Sequence, residues 1–130
     1  LSQYKGPGSE VVDTQGMYET IVLYWLEVRS VFEDAWGRTP AKSRLMHGAG
    51  IKAMGILMDR LVTRATASKD PRNEIRSSLE QIAPRCCWTE GTWEDLGYGW
   101  RDIQNVPRHV KALSEQLLSL DYAATQERLA

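Results

Sequence analysis

The sequence has few of the residues on which metal sites and disulfide frameworks depend. Its only cysteines, Cys86 and Cys87, are adjacent, so they lack the two-residue gap that lets two thiolates face one zinc ion. His47 and His109 are the only histidines. We therefore predict no disulfide framework, no metal site and no cofactor.

Long apolar runs and catalytic motifs are also missing. No apolar stretch approaches the roughly 20 residues that a membrane-spanning helix needs, which predicts that the chain makes no use of a membrane. The chain contains no phosphate-binding glycine loop, dinucleotide fingerprint, metalloprotease histidine pair or hydrolase nucleophile elbow. A cysteine nucleophile would need a histidine and an orienting group nearby in space. We assign no catalytic residue.

Excess charge is absent as well. Sixteen basic and seventeen acidic residues give a net charge of −1, so nucleic acid could bind only at a local basic patch. The cysteine usage and the absence of a signal segment favour a reducing, cytoplasmic location. Because the chain begins with Leu1 rather than methionine, we expect it to be a fragment of a longer protein, with the remainder of that protein as a partner.

Helical periodicity dominates what is present, most clearly over residues 41–67. Apolar residues recur there at steps of three and four, which predicts a central helix with a broad apolar face. Thr39 and Pro40 form a start signal, so we predict that the helix begins near Pro40. Gly48, Gly50 and Gly55 indicate either a close approach of another element or a break over residues 47–50 with a restart at Ile51.

Three further helices are predicted by the same spacing. The first runs from residue 13 or 14 to Ala35 with Glu27 in solvent, and Gly37 closes it. A shorter one starts at Asp70 and Pro71 and ends before Pro84. The last opens at residues 105–107 and runs to about Tyr122 with Gln116 outward, and the tail either extends it or frays.

The predicted fold class is all-α: a four-helix orthogonal or up-and-down bundle with an ordered, irregular, tryptophan-rich segment between the third and last helices. That segment covers residues 85–105, with a brief strand near Cys87. Residues 1–12 are expected to form a flexible arm or linker, and residues 13–130 a single helical domain.

The tryptophans allow two interpretations. Aromatic rings among arginines are typical of single-stranded nucleic-acid platforms, on which bases stack. Buried rings can instead hold an irregular loop in place. We assign structural roles to Trp25, Trp36, Trp88, Trp93, Trp100, Gly48, Gly50, Gly55 and Asn105.

Basic residues cluster twice along the chain. Arg38, Lys42, Arg44, His47 and Lys52 surround the start of the central helix, while Arg101, Arg108 and Lys111 flank the start of the last one. Either group could bind an anion or a DNA backbone. The alternative is that these residues form a solvated helix start, paired with acidic neighbours.

Two blocks, residues 35–59 and 86–118, resemble the C-terminal part of bacterial and archaeal DGQHR-domain proteins, the group that includes DndB-like proteins. The most specific matches are Trp36-Gly37, the Ser43, Leu45 and Gly50 pattern, and the run from Trp100 through Ile103, Gln104 and Asn105. The Asp-Gly-Gln-His-Arg motif itself is absent, so the chain resembles the helical C-terminal portion alone. The resemblance implies a role in DNA modification, mobile elements or phage defence.

Three functional hypotheses follow. The first is a non-catalytic accessory module that helps a DGQHR-like protein associate with DNA or form a homo-oligomer. The second is a purely structural or dimerisation domain. The third is part of an active site that a missing N-terminal domain completes.

Overall fold

Four α-helices dominate the computed structural model, which describes residues 14–129 apart from the side chains of Thr14 and Met17. The arm predicted over residues 1–12 lies outside the described residues. The predicted all-α four-helix fold is confirmed. Within the described residues the helices are α1 (Thr14–Val31), α2 (Gly48–Thr66), α3 (Pro71–Ile82) and α4 (Pro107–Leu129), with 3₁₀ turns at Arg44–Met46, Ala83–Arg85 and Trp100–Asp102.

The second helix packs against the other three, because α2 contacts α1, α3 and α4, and α3 likewise contacts every other helix. Its inward face carries buried alanines, leucines, a methionine and a valine, which fit the predicted apolar spacing. On the α1 side, the Tyr24 hydroxyl donates a hydrogen bond of 2.6 Å to the carbonyl of Met54. Burial of this phenol raises its pKa above the usual range, so it remains a donor.

The predicted start of the second helix near Pro40 is wrong. Residues 40–42 form turns, Arg44–Met46 is a 3₁₀ turn, and α2 begins at Gly48 with His47 as its N-cap. The alternative prediction, a break over residues 47–50, therefore agrees better with the observed start of α2. The predicted end of the first helix at Ala35 is also too late, because α1 ends at Val31 and further turns lead to Gly37, whose φ of 82° closes the segment as expected.

The third helix forms as predicted. The Asp70 carboxylate accepts a hydrogen bond of 3.2 Å from the backbone N–H of Asn73, Pro71 occupies the first turn, and the helix ends at Ile82, before Pro84. The fourth helix extends to Leu129, so of the two alternatives for the tail beyond Tyr122 the structure shows the extension of the helix.

A short antiparallel hairpin lies in the irregular segment, with β1 at Thr92–Trp93 and β2 at Tyr98–Gly99. The strand predicted near Cys87 is wrong, since the pairing occurs further along the chain. Trp88 and Trp93 are buried and meet edge to face at a centroid distance of 5.2 Å. Packed indoles thus order this segment together with the hydrogen bonds of the hairpin.

Two polar residues predicted to face solvent are buried. Glu27 is fully buried, because Arg72 and Arg76 of α3 donate to its carboxylate at 2.9 and 2.6 Å. Gln116 is 7% exposed and donates to the carboxylate of Asp95 at 3.2 Å. In both cases a polar partner distant in the chain makes burial tolerable.

Candidate nucleic-acid interface

Arg44 lies at the junction between the two basic segments. Its side chain donates to three backbone carbonyls, those of Pro40 at 2.6 Å, Arg101 at 2.8 Å and Ile103 at 2.8 Å. The residue is only 8% exposed. Because its guanidinium donates hydrogen bonds to all three carbonyls, Arg44 holds the segments around residues 40 and 101–103 together. The same hydrogen bonds leave the guanidinium unavailable to a phosphate.

Two of the predicted structural glycines have a close neighbour that explains them. A Cβ on Gly50 would collide with the carbonyl oxygen of Arg44, and one on Gly48 would approach Nδ2 of Asn105 to 2.5 Å. The same amide accepts a hydrogen bond of 3.0 Å from Nζ of Lys52 through its Oδ1. Among the described residues, no atom other than those of the adjoining helix backbone lies within 4 Å of a Cβ placed on Gly55, so close approach does not explain that glycine.

His47 is the N-cap of α2, and its imidazole ring is neutral in this role. Its Nδ1 accepts a hydrogen bond of 3.3 Å from the backbone N–H of Ala49, which requires the neutral ring. Partial burial, followed by the positive charge of Arg44, lowers the pKa of His47 below its ordinary value. The imidazole therefore contributes to the helix start rather than to the positive charge of the site.

The remaining predicted cations are exposed. We call their surface the basic end: Arg38, Lys42, Lys52, Arg101, Arg108 and Lys111. Its two chain segments are brought together by the Lys52–Asn105 pair and by the hydrogen bonds of Arg44 to the carbonyls of Arg101 and Ile103, which lie 57 and 59 residues further along the chain. Asp102 also lies here, and its carboxylate accepts the backbone N–H of Gly99 at 3.0 Å.

Trp100 is the tryptophan at this end, and its ring is half-buried. The guanidinium carbons of Arg101 and Arg44 lie 5.2 and 5.7 Å from its ring centroid. These cation–π contacts order the 3₁₀ turn Trp100–Asp102. Trp88 and Trp93 are 4% and 0% exposed, so neither can stack on a base, and packing accounts for both.

Neither cysteine is poised for nucleophilic chemistry. Burial, followed by the neighbouring Cys87, raises the pKa of the Cys86 thiol above its usual range. Burial together with Glu94 and Glu90 raises the pKa of Cys87. His109 is buried, and its Nδ1 accepts the backbone N–H of Gln104 at 2.8 Å. Among residues 14–129, no three His, Cys, Asp or Glu side chains form a group that could hold a metal ion.

The exposure of several apolar side chains was not predicted from the sequence. Tyr18, Val22 and Leu26 of α1 are 65%, 37% and 37% exposed, and Ile56 of α2 is 47% exposed. Tyr18, Val22 and Leu26 recur every four residues outside the predicted apolar face of α1, and this spacing could have revealed their exposure from the sequence.

No described helix has the length and apolar character required to cross a bilayer.

Comparison with known proteins gives one limited similarity. A 79-residue segment is 27% identical to part of the isoleucine–tRNA ligase of Methanoculleus marisnigri, covering 61% of this chain and 7% of the ligase. The chain thus spans a small fraction of the length of that relative. No family model matches the chain, and no solved structure matches it significantly.

Proposed function

We propose that this chain is a non-catalytic helical module that binds the backbone of nucleic acid through the basic end. In this proposal it serves a larger cytoplasmic DGQHR-like protein in DNA modification or defence. The observation that carries the proposal is that two basic segments, distant in sequence, meet at one end of the molecule through Arg44. Their six exposed cations give a chain of net charge −1 a local positive surface.

Several features support a backbone contact rather than base recognition. Lysine and arginine on an open surface bind phosphates as point charges or forks and read no sequence. The buried indoles of Trp88 and Trp93 are unavailable for stacking. The similar segment belongs to an enzyme whose name makes tRNA one of its substrates, which agrees with a nucleic-acid role for this helical unit.

A non-catalytic role is supported by the state of the groups that could react. The thiols have raised pKa values, and His109 accepts a backbone hydrogen bond. The third hypothesis, a composite active site, would use the same basic end to orient a phosphate beside another domain. Neither thiol is poised to act as a nucleophile for it, because both have raised pKa values.

Binding should be measured by fluorescence anisotropy with a labelled 20-base-pair duplex and a 20-nucleotide single strand. With about four phosphate contacts, affinity should fall roughly 10²-fold between 50 and 200 mM salt, because each contact releases condensed counterions. Replacing Arg38 and Lys42 by alanine, or Arg101 and Arg108, should each weaken binding to every sequence and reduce the salt slope by about 2.

The matched control removes two exposed cations elsewhere, by Lys69→Ala with Arg85→Ala, and should leave affinity and slope unchanged. Equal losses in the two test pairs would support one continuous site. Absence of wild-type binding at 50 mM salt would refute the proposal, and so would a control that weakens binding as much as the test pairs.

A further inference from the structure

Two cations contact the ring of Trp100, and they differ in how firmly they are fixed. The guanidinium carbon of Arg44 lies 5.7 Å from the ring centroid, and this buried side chain donates to three backbone carbonyls. The guanidinium carbon of Arg101 lies 5.2 Å from the centroid, and Arg101 is exposed. Within residues 14–129 the Arg101 side chain makes no hydrogen bond or ion pair, so its contact with Trp100 is what holds it in place.

The Trp100 ring is presented on a rigid turn. Its backbone N–H donates to the carbonyl of Gly91 at 2.9 Å, which ties the start of the 3₁₀ turn to the hairpin. The carboxylate of Asp102 accepts the backbone N–H of Gly99 at 3.0 Å and closes the same turn. The ring is half-buried, so part of it is open to solvent. An aromatic ring that is already ordered loses little conformational freedom when a ligand contacts it.

A nucleic-acid base should displace the Arg101 guanidinium from this ring. A cation–π contact at an exposed site changes an equilibrium constant by about 2- to 5-fold. Stacking of one base on an aromatic side chain strengthens binding by about 5- to 100-fold. The displaced guanidinium keeps its charge beside the strand and can pair with a phosphate. Asp102 is the opposing charge on this turn, and its hydrogen bond to Gly99 holds the carboxylate in place.

We propose that the basic end binds single-stranded nucleic acid, with one unpaired base stacked on Trp100 in the place of the Arg101 guanidinium. This inference rests on the backbone binding proposed above and adds the type of strand. A base in a duplex is stacked between its neighbours inside the helix, so the indole cannot reach its face. Because every base has a π-face, the contact reads no sequence, in agreement with a site composed of point charges.

The test compares two single strands that carry the same phosphates and differ only in their bases. One is oligothymidylate of about 20 nucleotides, and the other is an abasic strand of equal length, with hydrogen in place of each base. Fluorescence anisotropy at 50 mM salt should show that the wild type binds oligothymidylate about tenfold more tightly. The two strands should have equal salt slopes, because phosphate contacts release counterions and stacking does not.

Three variants locate the source of this difference. Trp100→Leu should reduce it from about tenfold to about twofold or less, and Trp100→Phe should retain part of it, because a phenyl ring still stacks. Trp25→Leu is the matched control, since the Trp25 indole is also half-buried but packs against Tyr24 and Trp36. It should leave the difference unchanged. Circular dichroism establishes that each variant is folded.

A photochemical measurement on the wild type does not depend on any variant. A strand with 5-iodouracil in place of thymine forms a covalent crosslink, on irradiation, with an aromatic side chain on which the base stacks. Mass spectrometry of the digested complex should place the crosslink at Trp100. Oligouridylate of the same length distinguishes RNA from DNA as the source of the base, and a gain over the abasic strand for either one supports the proposal.

The outcomes separate this inference from the proposed function. Equal wild-type affinities for the oligothymidylate, oligouridylate and abasic strands overturn the inference and leave backbone binding intact. A difference that persists in Trp100→Leu overturns it too, and so does a crosslink at another residue. Absence of binding to every strand and to the duplex at 50 mM salt refutes the proposed function, and this inference with it.

Discussion

Gly50→Ala is expected to lower the free energy of unfolding by about 3 kcal/mol, even though alanine favours a helix interior over glycine by about 1 kcal/mol. The new methyl group would overlap the backbone carbonyl of Arg44, which cannot rotate away as a side chain could. Relief requires moving the 3₁₀ turn Arg44–Met46 off the first turn of α2, and with it the hydrogen bonds that Arg44 makes.

Urea denaturation followed by circular dichroism measures this effect, since the transition midpoint falls while the slope stays constant if only the native state is strained. A thermal midpoint about 10 °C lower is expected for a domain of this size. Gly48→Ala should cost less, because its neighbour is the terminal amide of Asn105.

Gly55→Ala is the matched control on the same helix. The added methyl group would meet no described atom within 4 Å outside the adjoining helix backbone, so alanine should stabilise the protein by up to about 1 kcal/mol through its helix propensity. Equal changes in the free energy of unfolding for Gly50→Ala and Gly55→Ala would contradict the close contact between α2 and the preceding turn.

Features that depend on neighbours in the chain could be predicted from the sequence. Asp70 and Pro71 start α3 by a cap within one turn, and Gly37 closes the first helical segment through its own backbone preference. The apolar face of α2 depends only on helical spacing. These are local rules, so the sequence contains all the information they need.

Features that depend on partners distant in the chain could not be predicted from the sequence. Thr39 and Pro40 resemble a helix start, but Arg44 draws its segment toward carbonyls 57 and 59 residues away, and α2 begins only after His47. Glu27 resembles a surface residue until two arginines 45 and 49 residues away are placed beside it. Burial of a polar residue depends on such partners, which periodicity cannot reveal.

The candidate site also has parts that the sequence could predict and parts that it could not. Both basic segments were recognisable from composition, but their meeting at one end was not. Arg44 was grouped with the exposed cations because spacing alone cannot distinguish a buried guanidinium from a solvated one. The remaining cations of the basic end are now assigned by exposure, whereas their role in binding remains a proposal.

Arg44→Met is expected to lower the free energy of unfolding by about 4.5 kcal/mol, which corresponds to three hydrogen bonds at the lower end of their range. Hydrogen bonds to a charged group contribute about 1.5–3 kcal/mol each, and the substitution leaves the carbonyls of Pro40, Arg101 and Ile103 without that donor. Methionine fills similar volume, so the loss reports hydrogen bonding more than packing. Arg44→Lys should not restore stability, because one ammonium group cannot reproduce the rigid fork that reaches three carbonyls.

Urea denaturation again provides the measurement, with Arg38→Met as the matched control. Arg38 is exposed, so its replacement should change stability by no more than about 0.5 kcal/mol. Stability of Arg44→Met within that margin would contradict the role of Arg44 as the tie between the two segments.

The strongest test of that tie combines the two substitutions. Gly50→Ala acts on the carbonyl of Arg44, and Arg44→Met removes the side chain that holds the same turn against residues 101–103. If one junction carries both effects, the double variant should be less destabilised than the sum of the single variants by at least 1 kcal/mol. Additive losses would mean that the first turn of α2 and the basic end are stabilised independently.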